Sequence, residues 1–96
     1  MIKLSITEKK NLIIINKIIV PQADRGKGVG GKILIGIIHK ANRKNKTIAL
    51  TPSKDFGGSL PRLKKFYKKY GFIENKGKNK DYEISESMYK LPGKKL

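Results

Sequence analysis

The sequence has no cysteine and a single histidine among its 96 residues. Disulfides and thiolate metal sites are therefore excluded, and His39 alone cannot build a histidine-rich metal site. Long hydrophobic runs are also missing. The longest near the start, Leu12 to Val20, is broken by Asn16 and Lys17 and follows a charged stretch. No secretory or membrane-spanning segment is expected, so the default is a cytoplasmic protein without a membrane partner. Acidic residues are scarce: 7 Asp and Glu stand against 23 Lys and Arg, a formal charge of +16. Such a charge favours an anionic partner, whether nucleic acid, a phosphorylated cofactor or an acidic protein. Lysine far outnumbers arginine, and lysine lacks the fork that reads base edges, so base-specific DNA recognition is disfavoured.

The length allows one domain with one modest core. Ile2, Leu4 and Ile6 alternate with polar residues as in a half-buried strand, and Glu8 to Asn11 read as a turn. Leu12 to Val20 is β-branched and predicts a central strand buried on both faces; Pro21 ends it or marks a bulge or edge. From Val29 the period changes: Val29, Ile33, Ile37 and Ala41 form one apolar helix face with Leu34 and Ile38 beside them. His39 is expected half-buried on this helix. Thr47 to Thr51 is a short strand stopped by Pro52. Ser59 is a helix N-cap with Pro61 in the first turn, and Leu60, Leu63, Phe66, Tyr67 and Tyr70 define a second amphipathic helix capped by Gly71. Phe72 to Glu74 is extended, Asn75 to Asp81 is a polar turn, and Tyr82, Ile84, Met88, Tyr89 and Leu91 read as one or two last strands. The pattern predicts an α/β fold, a mixed sheet flanked by helices.

Chemistry is concentrated between the second strand and the first helix. Arg25-Gly26-Lys27-Gly28-Val29-Gly30-Gly31 makes a glycine-rich bend that opens a helix. Consecutive backbone N–H groups at a helix start converge on a phosphate, helped by the helix dipole. A Cβ at Gly28 or Gly30 would push a phosphate away or forbid the turn, while Arg25 and Lys27 add charge at the rim. No Gly-Lys-Ser/Thr ending follows, so this is no Walker A loop, and the chain has no room for paired dinucleotide-binding units.

The arrangement resembles the Gcn5-related N-acetyltransferases (GNAT family). Their signature, Arg or Gln, two residues, Gly, one residue, Gly or Ala, is complete in Arg25-Gly26-Lys27-Gly28-Val29-Gly30. A second signal, an aromatic or Leu, Tyr, three residues, then Gly-Phe, is present from Phe66-Tyr67 to Gly71-Phe72. The resemblance implies a truncated acetyl-CoA N-acyltransferase-like fold: residues 1–11 a partial N-terminal strand region and 12–96 the cofactor-binding half. It implies acetyl transfer from acetyl-CoA to an unidentified amine, with Gly26 to Gly31 and Arg25 on the cofactor diphosphate. Ile18, Ile19 and Val20 would offer backbone groups to the pantetheine arm. Ser59 would reach the cofactor, with Lys54 and Arg62 near the adenosine phosphates. Tyr67 would protonate the leaving thiolate. The family's usual base, a Glu on the strand before the glycine bend, has no counterpart; that strand carries Asn16. Glu8, Asp24, His39 and Asp55 are the other candidates, and water is the alternative. The family's first strand and two helices, which help build the acceptor site, have no counterpart, and a second copy in a homodimer could supply that wall. The other class of function is a binding module that keeps the scaffold and uses Lys64, Lys65, Lys68, Lys69, Lys76, Lys78 and Lys80 on nucleic acid or an acidic protein.

Overall fold

The computed structural model describes residues 3–20, 28–53 and 59–93. Strands β1 (Lys3–Glu8) and β2 (Leu12–Ile19) are followed by helix α1 (Val29–Lys44), β3 (Thr47–Leu50), helix α2 (Leu60–Lys69), β4 (Ile73–Glu74) and β5 (Met88–Lys90). The five strands form one mixed sheet in the order β1-β2-β3-β5-β4, parallel at β2–β3 and antiparallel elsewhere.

β2 holds the centre. Ile13, Ile15 and Ile18 are buried, a spacing that strict alternation forbids. A bulge resolves it: Ser5 pairs with Lys17 but Ile6 pairs with Ile15, leaving Asn16 as the extra residue. The bulge returns Ile18 to the face that carries Ile13 and Ile15. Asn16 donates from Nδ2 to Thr7 Oγ1 at 2.8 Å, which fixes it against β1. The other face of β2, Leu12, Ile14 and Ile19, is only half-buried. The expectation of a strand buried on both faces is therefore corrected, because both helices pack on one side. Leu34, Ile37 and Ala41 of α1 and Tyr67 of α2 share a cluster with Ile13, Ile15, Ile18, Ile48, Leu50, Phe72 and Met88. The opposite face carries a smaller cluster of Ala49, Ile84 and Tyr89, with Leu12 and Ile73 beside it.

The α2 C-terminus follows from its glycine. Gly71 takes φ 97, a left-handed conformation open to glycine at little cost. The Gly71 amide then donates to Lys68 O and the Phe72 amide to Tyr67 O, and the Phe72 and Tyr67 rings meet at 5.6 Å between centroids. The cap residue is Tyr70, one before the glycine expected there.

Between β4 and β5 the expected strand through Tyr82 and Ile84 does not form. Asn75, buried, takes the polar groups that a strand would have needed. Its Nδ2 donates to the carbonyls of Asp81, Ile84 and Glu86, and its Oδ1 accepts from the Asp81 amide. Residues 75–87 become a loop wrapped on one side chain, with Ile84 tucked under the sheet and Tyr82 facing solvent. No helix among the described residues is long and apolar enough to cross a membrane.

Candidate functional site

β2 and β3 begin side by side and then part. Their parallel ladder runs only from Leu12–Thr47 to Ile15–Leu50. Beyond Ile15, β2 continues to Ile19 paired with β1, and β3 has ended. The parting point coincides with the Asn16 bulge, which bends the bulged strand. Ile18 and Ile19 lie past it, opposite Leu4 and Lys3 of β1, with no β3 residue in register. Val20 follows directly. The three residues assigned to the pantetheine arm therefore line the side of β2 from which β3 has withdrawn.

Helix α1 starts above this opening. Gly28 is its cap residue at φ 74, and a glycine brings no side chain of its own to the cap. The first amide to bond back is that of Lys32, to Gly28 O at 3.0 Å. The amides of Val29, Gly30 and Gly31 have no intrahelical acceptor, and the positive end of the dipole lies there. A Cβ on Gly28 would meet nothing within 4 Å, so glycine is required there by backbone angle, not by space. Among the described residues, a Cβ on Gly30 would meet only Val20, at 3.7 Å, an ordinary contact. Gly30 therefore brings the helix start against the end of β2 and is not itself crowded by protein. Gly31 is buried beneath Tyr70: a Cβ there would lie 2.4 Å from the Tyr70 hydroxyl. Arg25, Gly26 and Lys27 lie outside the described residues, as do Pro21, Asp24, Lys54 and Asp55.

The Tyr70 contact joins α2 to the first turn of α1. Tyr67, three residues earlier, shares that side of α2. Only 2% of Tyr67 is exposed, and its ring is packed edge-on by Phe66 at 5.3 Å and by Phe72. Burial pushes its phenol up to about 12, because the phenolate would lose its hydration. At neutral pH Tyr67 is thus a proton-bearing hydroxyl, suited to donating and not to acting as a base. Ser59 accepts from the Arg62 amide at 3.3 Å as the N-cap of α2, and its hydroxyl hydrogen remains a donor.

The base candidates fare differently. Glu8 stands at the end of β1 within 3.1, 2.8 and 2.6 Å of the ammonium groups of Lys40, Lys44 and Lys46. Hydrogen bonds from Lys44, Lys46 and Lys40 hold its carboxyl far below the usual range, so it is a poor proton acceptor. His39 is exposed on α1, not half-buried, because the apolar stripe turns away from it. Asn16 is occupied in the bulge. Sequence reasoning missed two residues: Tyr70 as the contact with Gly31, and Asn75 as the centre of its loop. The i, i+3 spacing of Tyr67 and Tyr70 carried a signal for the first. Nothing in a lone Asn signalled the second.

A parted pair of parallel strands, a glycine-started helix above the gap and a buried tyrosine from the next helix define a recognisable architecture. Ard1 from Thermoplasma volcanium superposes with a TM-score of 0.65 over 97% of this chain and 62% of its own, at 21% identity. An acetyltransferase of the GNAT family from Staphylococcus aureus MU50 gives 0.61 over 94% of this chain and 57% of its own, at 19% identity. The chain has the GNAT fold. It spans about three fifths of the length of these two structures. No protein-family model matches the sequence, and no curated protein matches it. Within the GNAT fold, the two sequence signatures fall at the start of α1 and the end of α2, the two helix ends that the Tyr70–Gly31 contact brings together.

Proposed function

We propose that this protein is an acetyl-CoA-dependent N-acetyltransferase acting on an amine not yet identified. The observation that carries the reading is the glycine start of α1 at Gly28, set beside the point where β2 loses β3. Those features fit the cofactor: three amides without intrahelical acceptors suit a diphosphate, and a length of β2 beyond its ladder with β3 suits the amide-bearing arm. Arg25, Gly26 and Lys27 would complete the anion site, and Ser59 would donate a further bond. Bound acetyl-CoA supplies an acetyl thioester open to attack by a neutral amine. Tyr67 holds a proton through the physiological range and would donate it to the departing sulfur, whose acidity by analogy with cysteine is about 8.5. With Glu8 bound by lysines and Asn16 in a bulge, the amine would lose its proton to water. The edge strand β1, which exposes 47% of Leu4, is where a second copy would supply an acceptor wall.

The test is cofactor-dependent melting of the native chain and of Gly30→Ala. Acetyl-CoA should raise the native melting temperature, equivalent to about 2.7 kcal/mol at one hundred times its Kd. Gly30→Ala should fold as well as the native chain, since among the described residues its Cβ meets only Val20 at an ordinary distance, yet lose most of that response. No shift in the native protein would refute cofactor binding. A shift without thiol release from any of a panel of amines would refute the transferase step.

A further inference from the structure

The groove on the outer side of α2, the two lysine clusters and the solvent-facing ring of Tyr82 are features that the acetyl-transfer reading leaves unused. Two of them are continuous. Glu74 on β4 holds Lys64 at 3.3 Å and Lys68 at 3.2 Å from α2, and Lys76 at 3.7 Å from the following loop. One carboxylate thus joins the helix and the loop into one basic surface that it cannot neutralise. A shallow groove of about 460 Å³ runs along it, lined by Leu60, Pro61, Lys64, Lys65, Lys68 and Glu74. From Lys76 the chain passes through exposed Lys78 and Lys80 to Tyr82, which is 89% exposed.

Tyr82 is the informative residue. A tyrosine ring left in water gains nothing from burial, yet this one stands on a loop that Asn75 fastens by four hydrogen bonds. The Lys80 ammonium lies 5.8 Å from the ring centroid, so one face is engaged and the other is open. An open aromatic face beside a row of ammonium groups matches a ligand that alternates planar bases with phosphates. We infer that this surface binds single-stranded nucleic acid without regard to sequence. Lysines contact phosphate as point charges, and a lone ring stacks on any unpaired base but on no base inside a duplex. Residues 60–86 carry eight cations and four acids. Of those acids, Glu74 is outnumbered by its lysines, and the segment keeps a surplus of positive charge. An acidic polypeptide would satisfy the lysines and leave Tyr82 without a role.

Fluorescence anisotropy of the full chain with labelled oligo(U) and oligo(dT) of about 20 nucleotides tests this, against a duplex of equal length and polyglutamate. Both single strands should bind more tightly than the duplex or polyglutamate. Tyr82→Ala should weaken binding by about tenfold with the salt slope unchanged. Replacing Lys76, Lys78 and Lys80 together by Gln should reduce the slope of log K against log salt by about two. Because all four side chains are exposed, the variants should melt with the native protein. Saturating acetyl-CoA should leave oligonucleotide affinity unaltered, which separates this surface from the proposed cofactor site. Tyr82→Ala binding as tightly as the native chain would overturn the inference, as would polyglutamate binding equal to that of the single strands.

Discussion

Tyr67 and Tyr70 stand one helical turn apart and carry different burdens. Tyr67 is almost wholly buried and keeps its proton up to about pH 12. If it donates to the leaving sulfur, Tyr67→Phe keeps the packed ring and removes only the hydroxyl. Turnover should fall by about 10²-fold, at the low end for a general acid because a thiolate leaves readily, while acetyl-CoA affinity holds. The native protein should show no loss of kcat on the alkaline side below pH 10, since a phenol raised above its ordinary value stays protonated there. Equal kcat in both proteins would remove Tyr67 from the reaction. Tyr70 acts through space at Gly31. Gly31→Ala would place a methyl 2.4 Å from its hydroxyl, and overpacking of this kind costs about 1–3 kcal/mol. Removing that hydroxyl in Tyr70→Phe leaves the ring carbon at 3.4 Å from the methyl, a distance a small shift accommodates. In that background Gly31→Ala should be neutral or stabilising, because alanine is favoured over glycine inside a helix by about 0.5–1 kcal/mol. Urea melts of the four proteins give the sign directly.

Among the elements, those with a strong period were legible and those decided by one side chain were not. α1 and α2 follow from their apolar stripes, and the Ser59 cap and Gly71 turn from local chemistry, so their bounds agree with the pattern to within a residue or so. The glycine start of α1 was equally readable, because a left-handed cap without a side-chain partner needs glycine. The β2 bulge was not readable: Asn16-Lys17 among isoleucines fits a plain strand, and the extra residue shows only in the register with β1. The parting of β2 from β3 beside Ile18 to Val20 was implied by the family resemblance and not by the residues themselves, since it depends on pairing between distant segments. The loop after β4 was misread as strand because Tyr82 and Ile84 alternate, while Asn75 claims the backbone they would have used. Asn75→Ala should therefore cost about 4 kcal/mol, about 1 kcal/mol for each of its four hydrogen bonds. Asn75→Asp should be no better, since an oxygen would then face three carbonyls where an NH₂ had donated. Denaturant midpoints close to native for Asn75→Asp would contradict this account of the loop.

At the scale of the molecule, a chain of charge +16 must hold its ammonium groups apart or bind them to the few carboxylates it has. Glu8 and Glu74 each gather three lysines, and Glu8 also ties the exposed strand β1 to the last turns of α1. The arrangement is asymmetric. Removing one lysine leaves the carboxylate with two partners; removing the carboxylate leaves three like charges facing one another. Glu8→Gln should therefore lower the melting temperature at neutral pH well beyond Lys44→Gln. It should also speed amide exchange in β1, which has little burial of its own. The hydrogen-bonded lysines lower the folded-state pKa of both carboxylates. Their stabilisation is thus complete above the unfolded value of about 4.3 and drains away as pH falls below it. The gap between native and Glu8→Gln should narrow on acidification through that range. Raising salt to about 1 M, where the screening length is about 3 Å, should recover part of the Glu8→Gln loss by damping the exposed lysine–lysine repulsion. A variant equally destabilised at low and high salt would mean that Glu8 acts by its shape at the end of β1 and not by its charge.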